Sequence, residues 1–247
     1  MPRKALTPSL ADQDAAEGGV AAVDRALTLL SAFAEFGNTN GELTLAELSN
    51  HTKLYKSTTL RLLASLMHSG LVRQSADGRY ALGPEVARLH AAYTRSFSLG
   101  EIVIPVLQKL VAVTGESAAF HVRQGQARLC LYRVDSPHPV RDHIKSGDLL
   151  PIDRGAGARV LDAFADAGNR LPGRRNVELA REVRKQGYFA GIGDRDGEVA
   201  GISAPVFAAT GALVGALTLT APANRYVEAH IQPVVSAAAS LTVALGG

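Results

Sequence analysis

The 247-residue sequence has few of the residues that cross-link a chain or anchor it in a membrane: one cysteine, no tryptophan and 5% aromatic residues. Cys130 alone cannot close an intramolecular disulfide, and no Cys and His residues have zinc-ligand spacing, which excludes a disulfide scaffold and a zinc finger. No apolar run approaches the roughly 18 residues of a membrane span, and residues 1–19 lack the apolar core of a signal peptide. We therefore expect a cytoplasmic chain with no membrane association, no metal site and a disordered tail over 1–19.

Net charge is also small, with a formal surplus of +3 over the whole chain. The 47% of apolar residues are enough to fill a core, which excludes a fully disordered chain. Between His51 and Tyr80, however, five basic residues face a single acidic one, so the rest of the chain is slightly acidic. This asymmetry is typical of a DNA-binding module joined to a module with another role.

Residues 20–83 carry the pattern of a winged helix-turn-helix. Apolar residues at helical spacing predict a first helix from Val20 to Gly37, and a capping box at Thr44–Glu47 predicts the start of a second. A third amphipathic helix is predicted over 55–68. Two short strands around an Asp-Gly turn follow over 71–82, which completes the predicted wing.

The third helix presents small polar and cationic side chains on its outward face, which suits entry into the major groove of double-stranded DNA. The alternative is a solvated charged face with no nucleic-acid role. Leu60 interrupts this face, and we expect it either to touch a thymine methyl group or to pack against the first helix. The candidate DNA-binding residues of the helix, the turn before it and the wing are Lys53, Lys56, Ser57, Thr58, Arg61, Arg73 and Arg79.

Residues 84–98 are predicted to form a linker helix, and residues 99–247 an α+β domain. Short apolar runs predict strands at 118–122, 129–134, 202–207 and 213–219, and longer periodic runs predict helices at 102–113, 158–167, 177–186 and 225–245.

In both parts the sequence resembles the IclR family of bacterial transcription regulators. The N-terminal motifs that carry the resemblance are Val23–Leu30, Leu43–Leu48, Lys56–Leu66, Gly70–Val72 and Gly78–Gly83. The C-terminal ones are Thr114–Ser117, Tyr132–Pro137, Leu150–Pro151, Gly187–Tyr188 and Ile202–Phe207. The resemblance implies a winged helix-turn-helix, a linker helix and a GAF-like effector-binding domain. It also implies a homodimer or a tetramer built as a dimer of dimers, a palindromic operator and a small organic-acid effector.

The effector pocket is assigned through the same resemblance. The family's small-residue turn before a helix corresponds to Gly155 and Ala156, where free N–H groups at a helix start can hold an anion. Two hydroxyl positions correspond to Thr218 and Thr220, which share a strand face. An ordinary helix-entry loop and surface threonines are the alternatives.

This chain also departs from the family's pocket pattern. Gly191 and Gly201 stand where some members have an acid and a cysteine near the ligand. His121 and Arg123 lie on a strand where apolar residues are more common. If their face looks inward, they form a cationic wall that favours a carboxylate ligand; if it looks outward, they are solvated or lie at a subunit interface.

An enzyme is the rival class of function. Cys130 with His121 or His143 is a conceivable nucleophile and base, but its apolar neighbours favour a packed thiol. No Gly-x-Ser-x-Gly elbow, Walker loop or dinucleotide-binding fingerprint is present. We therefore expect no enzyme activity and no cofactor. A third alternative is a DNA-binding protein whose second domain only dimerises.

Overall fold

The structure is a computed structural model that describes residues 9–13, 17–37, 41–96, 99–166, 168 and 170–246. The chain divides into two compact units, at 1–97 and 98–247, and each is described by itself. No helix among the described residues combines the length and the apolar character that crossing a bilayer requires.

The N-terminal unit contains five helices and a two-stranded hairpin among its described residues. These elements are α1 (Leu10–Gln13), α2 (Ala21–Phe36), α3 (Leu45–Thr52), α4 (Lys56–His68), β1 (Val72–Gln74), β2 (Tyr80–Leu82) and α5 (Pro84–Ser96). Helix α1 lies inside the segment predicted as a disordered tail, of which residues 1–8 and 14–16 are outside the described part. Residues 97–98, the end of the predicted linker helix, are also outside it.

Local sequence explains why α2, α3 and α4 pack as a three-helix core. Leu29, Leu48 and Leu63 come from the three helices and are fully buried against one another. Helix α3 begins with the predicted capping box, in which the Glu47 N–H donates to Thr44 Oγ1 at 3.2 Å and the Thr44 N–H donates to the Glu47 carboxylate at 2.7 Å. Such a box satisfies two backbone donors at the helix start and is worth about 1 kcal/mol.

The C-terminal unit is a sheet with helices on both faces. Its elements are α6 (Leu99–Thr114), β3 (Ser117–Gln124), β4 (Ala127–Val134), β5 (Leu149–Pro151), α7 (Ala156–Ala163), α8 (Arg174–Gln186), β6 (Phe189–Ile192), β7 (Val199–Phe207), β8 (Leu213–Pro222) and α9 (Ile231–Ala244). The six strands are antiparallel in the order β5-β4-β3-β8-β7-β6. The predicted winged helix-turn-helix and the α+β class are confirmed.

The predicted closing helix over 225–245 is wrong in its first part. Residues 223–225 and 228–230 form two 3₁₀ turns, and α9 begins only at Ile231. Pro233 explains the late start, because proline lacks an N–H donor and fits an α-helix only in the first turn. Strands β5 and β6 were not predicted, since three or four residues are too few to show a period.

The side chains of strand β8 alternate between the two faces of the sheet. Leu217 and Leu219 pack with α6 and α9 in one apolar cluster, whereas Ala216 packs with α7 and α8 in another. Because side chains alternate along a strand, Thr218 and Thr220 lie on the same face as Ala216, toward α7. This face carries the cavity described below.

Candidate functional site

Helix α4 presents the predicted polar face to solvent. Thr59, Leu63 and Leu66 are buried, whereas Lys56 and Arg61 are exposed. Ser57 is exposed as well, and Thr58 is half-buried beside Arg61. The helix therefore leaves one cationic, hydroxyl-bearing face without a packing role in this unit.

The start of α4 adds two features to this face. Lys53 adopts the left-handed conformation, with φ of 56°, where the chain turns from α3 to α4, and its side chain is exposed. Tyr55, the N-cap of α4, is 63% exposed and was missed by the sequence analysis. Leu60 is 45% exposed and is not among the described residues that pack in the apolar core of this unit.

The wing carries two arginines in different surroundings. Arg73 on β1 is exposed, and no carboxylate of the described residues forms an ion pair with it. Arg79 is half-buried and lies 3.8 Å from Glu47 Oε2 and 3.6 Å from Asp77 Oδ2. Half-exposed pairs of this kind contribute little to stability, but they leave Arg79 less available for a phosphate than Arg73.

A cavity in the C-terminal unit collects most of the predicted effector residues. Its volume is about 20 Å³, which is enough space for a water molecule. It lies between the start of α7 and the α7-facing side of the sheet. The predicted residues that line it are Gly155, Ala156, Gly191, Gly201, Thr218, Thr220 and His121.

Small residues are required where α7 meets the sheet. Gly155, the N-cap of α7, has a φ of +92°, which side-chain-bearing residues rarely adopt. A Cβ on Gly157 would stand 2.9 Å from Thr218 Oγ1, and a Cβ on Gly201 would stand 2.8 Å from the Cβ of Ala156. Glycine alone therefore permits this close approach between the start of α7 and the sheet.

Arg128 is the main residue that the sequence analysis missed. It lies on β4 with only 2% of its surface exposed, and its Nε donates to Pro151 O at 3.3 Å. Its Nη2 and Nη1 lie 2.9 and 3.5 Å from the points that Cβ atoms on Gly155 and Gly157 would occupy. Arg128 and the buried Cys130 share the inward side of β4, and this register is the signal that could have identified the arginine.

The other arginines around the cavity have acidic partners. Asp194 accepts from Arg159 Nη2 at 2.8 Å and Nε at 2.9 Å, and Arg195 Nη2 donates to Asp142 Oδ2 at 3.2 Å. Within the described residues, no carboxylate forms an ion pair with Arg128. Burial, and next the charge of Arg195, lowers the pKa of Arg128 to about 10. Arg128 is therefore a buried, protonated guanidinium that no carboxylate of the described residues contacts directly, although the charges of Asp142 and Asp194 act on it from further away.

His121 and Arg123 do not form a cationic wall, which was one of the two alternatives for their strand face. His121 is buried in the cavity with Nδ1 3.3 Å from Thr218 Oγ1. Burial first, and the neighbouring arginines next, lower its pKa well below 6.5, so the ring is neutral. Arg123 is not among the described residues that line the cavity, and its Nε donates to Gly125 O at 3.1 Å. Arg123 lies two residues, about 7 Å, further along the strand than His121, beyond the cavity and toward the β3–β4 turn.

The Cys130 thiol lacks the surroundings of a nucleophile. The residue is fully buried, and burial raises the pKa of the thiol to about 11. A reactive cysteine has a lowered pKa, because the thiolate is the attacking species. In the described part of the chain, no three His, Cys, Asp or Glu residues are placed to hold a metal ion.

Comparisons with known proteins match both units of the chain to bacterial transcription regulators. The model of the IclR helix-turn-helix domain matches residues 22–76. A glycerol operon regulatory protein of Streptomyces griseus is 30% identical over 199 residues, which are 74% of this chain and 78% of the relative.

Solved structures agree over nearly the whole chain. An IclR transcriptional regulator from Silicibacter sp. TM1040 superimposes with a TM-score of 0.76 at 26% identity, covering 92% of this chain and 96% of its own. An IclR homologue from Microbacterium hydrocarbonoxydans, solved with 4-hydroxybenzoate, has a TM-score of 0.72 at 20% identity and covers 89% of this chain and 98% of its own. The latter likeness concerns the fold alone.

Proposed function

Because the chain belongs to the IclR family of transcriptional regulators, we propose that it binds an operator through α4 and that a small organic acid in the C-terminal cavity changes its affinity for that operator. The observation that carries the effector half of this proposal is the buried guanidinium of Arg128, which has no carboxylate partner among the described residues. A buried charge is costly unless it is paired, so the site favours an anionic ligand.

The DNA half of the proposal assigns a role to each exposed position. Lys56 and Arg61 on the outward face of α4 reach guanine edges or phosphates, and Ser57 and Thr58 add hydroxyl contacts. Lys53, Arg73 and, more weakly, Arg79 contact the phosphate backbone on either side of the helix. One short helix reads few base pairs, and a two-fold homodimer, or a tetramer of two such dimers, doubles the contact on a palindromic operator.

In the effector half, the start of α7 and Arg128 act on the same group. The Gly155 N–H donates to Asp194 Oδ2 at 2.5 Å, so the first N–H of this turn already has an acidic partner. The N–H groups that follow it at the start of α7 have no partner within the helix and attract anions. Arg128 presents Nη1 and Nη2 to the same turn at Gly155 and Gly157, and a guanidinium can hold a carboxylate with two parallel hydrogen bonds. Thr218 and Thr220 line the cavity from the sheet. The Microbacterium homologue, solved with the carboxylic acid 4-hydroxybenzoate, provides a precedent for this class of ligand.

Ligand entry requires side chains to move, because the cavity of about 20 Å³ takes no more than a water molecule. Arg195 lies on the loop between β6 and β7, lines the cavity and donates a hydrogen bond to Asp142. Its displacement would couple ligand binding to the loop. A ligand that prefers one conformation in this way shifts the population of the states that bind DNA.

Two linked experiments test the proposal. The first measures thermal unfolding of the full chain with a panel of short carboxylic acids and 4-hydroxybenzoate. A specific ligand at a hundredfold excess over its Kd stabilises the folded state by about 2.7 kcal/mol. The second selects an operator from random DNA duplexes and measures its affinity with and without each stabilising acid.

We expect at least one acid to stabilise the protein and to change the operator affinity. Stabilisation without a change in operator affinity would contradict the regulatory role. Selection of no sequence would contradict the DNA-binding role. Absence of stabilisation by every acid would support a domain that only dimerises, and consumption of an acid would indicate an enzyme.

A further inference from the structure

A chain of buried hydroxyl groups fixes the proton on the His121 ring. Ser203 Oγ donates to Leu217 O at 3.0 Å, Ser203 Oγ and Thr218 Oγ1 are 2.9 Å apart, and Thr218 Oγ1 and His121 Nδ1 are 3.3 Å apart. Each of these three contacts needs one proton. Because the Ser203 proton goes to Leu217 O, the Thr218 proton goes to Ser203, and the third contact must use a proton on His121 Nδ1.

The opposite ring nitrogen is therefore an acceptor without a partner. The His121 ring is neutral, so a proton on Nδ1 leaves Nε2 with a lone pair. Nε2 is buried and has no hydrogen-bond partner among the described residues. Buried acceptors are nearly always paired, so an unpaired one in the wall of a binding cavity points to a donor on the ligand.

The neighbouring charges limit what that donor is. Arg128, Arg133 and Arg195 all act on His121 electrostatically, and two of them line the same cavity. Asp194 also lines the cavity, but its carboxylate is already paired with Arg159 and the Gly155 N–H. A ligand ammonium group would therefore be repelled by the arginines, whereas a hydroxyl group is neutral and donates one hydrogen bond. A ketone oxygen accepts but cannot donate, so it leaves Nε2 unpaired.

The spacing limits how far the donor lies from the carboxylate. Arg128 Nη1 and His121 Nδ1 lie 3.5 and 3.2 Å from the same point, the place that a Cβ on Gly157 would take. The guanidinium of Arg128 and the imidazole ring of His121 are therefore neighbours. Because Nε2 is part of that ring, a ligand hydroxyl that pairs with it lies within a few carbon atoms of a carboxylate held by Arg128.

We propose that the effector is a short hydroxy acid whose carboxylate accepts from Arg128 Nη1 and Nη2 and whose hydroxyl donates to His121 Nε2. This inference rests on the proposed function, because it assumes that the cavity binds an acid. It adds the hydroxyl group and makes His121 the residue that selects it.

Titration calorimetry of the full chain with four matched acids tests the proposal. Propionate has no group beside the carboxylate, lactate has a hydroxyl, pyruvate a ketone and alanine an ammonium group. Lactate is expected to bind at least about tenfold more tightly than each of the other three, since only its hydroxyl pairs with Nε2. The pair 3-hydroxybutyrate and butyrate tests the position one carbon further in the same way.

The outcomes separate this inference from the proposed function. If the hydroxy acids and their matched acids bind equally, the hydroxyl inference is overturned while the acid-binding function stands. If no acid binds, both are overturned. If the acids bind and Arg128→Gln loses affinity but the hydroxy preference is absent, His121 has no selective role.

The tautomer provides a readout that needs no ligand. A ¹⁵N spectrum of the imidazole is expected to show His121 protonated at Nδ1 and unprotonated at Nε2. Thr218→Val removes the oxygen that accepts the Nδ1 proton at nearly constant volume, so the proton is expected to move to Nε2 and the preference to change from lactate to pyruvate. A parent ring protonated at Nε2, or an unchanged preference in the variant, would overturn the proposal.

Discussion

The Nη2 atom of Arg128 lies 2.9 Å from the point that a Cβ on Gly155 would occupy. The two residues are 27 positions apart, and the sheet brings β4 against the turn that starts α7. A guanidinium and the N–H groups of a helix start thus meet at a site that only glycine leaves open. A cationic donor from β4 and the backbone N–H groups at the start of α7 are close together, which is an arrangement that can bind a carboxylate.

Filling this space is expected to abolish effector binding. Gly157→Ala places a Cβ 2.9 Å from Thr218 Oγ1 and 3.2 Å from His121 Nδ1, where both groups are held by buried hydrogen bonds. The matched control is Gly197→Ala on the β6–β7 loop, whose Cβ would meet nothing within 4 Å. Calorimetry with a stabilising acid is expected to show loss of binding in the first variant only. Parent-like affinity in Gly157→Ala would show that the ligand binds elsewhere.

Removing cations from the outward face of α4 is expected to weaken operator binding. Arg61→Ala and Lys56→Ala each remove an exposed charge, and each lost phosphate contact lowers the slope of log affinity against log salt by about 1. A lost guanine contact instead costs about 1–3 kcal/mol and relaxes specificity at one base pair. Fluorescence anisotropy at several salt concentrations separates the two cases. Arg181→Ala on the exposed side of α8 is the control and should bind as the parent does. Unchanged affinity in both α4 variants would remove α4 from the DNA interface.

His121 is expected to make the fold less stable in mild acid. Its pKa is lowered in the folded state by burial first and by neighbouring arginines next, whereas in the unfolded chain it titrates near 6.5. The unfolded state therefore binds the proton preferentially. The free energy of unfolding is highest above pH 6.5 and decreases as pH falls below that value. At about pH 5.5 the loss from this residue is about 1 kcal/mol.

Urea unfolding at neutral pH and at about pH 5.5, followed by circular dichroism, measures this loss. The comparison variant is His121→Gln, which cannot take up a proton, and its free energy of unfolding is expected to change less between the two pH values. An equal change in parent and variant would mean that His121 keeps its ordinary pKa in the fold.

Cys130 is expected to be nearly inert in the folded protein. Burial raises the pKa of its thiol to about 11, and no part of the residue is exposed. At pH 8 the folded protein should react with a disulfide reagent at least about 100-fold more slowly than a free cysteine, because little thiolate is present. In denaturant the single thiol should react at once. Rapid labelling without denaturant would instead support a reactive Cys130 that could act as a nucleophile.

Local signals account for most of what the sequence predicted correctly. Capping at Thr44 and helical spacing in α2 and α4 depend on neighbouring residues, and these elements form close to the predicted bounds. Thr218 and Thr220 share the cavity face because strand alternation is also local.

The missed features depend on contacts across the chain. The role of Arg128 depends on its proximity to Gly155 and Gly157 at the start of α7. No local period in the sequence predicts that β4 and α7 come together there. Arg123 was placed in the pocket by the same two-residue period that correctly paired the threonines. The period identifies a face of the sheet, but it does not show where along that face the cavity ends.

The most direct test of the central claim measures the operator affinity of the parent, Arg128→Gln and Arg123→Gln with and without a stabilising acid. Coupling between two sites typically changes affinity by about 5- to 150-fold. We expect such a change in the parent and in Arg123→Gln, whose arginine lies outside the cavity, and no response to the acid in Arg128→Gln. An undiminished response in Arg128→Gln, or an equal loss in both variants, would contradict the claim that the buried guanidinium receives the effector.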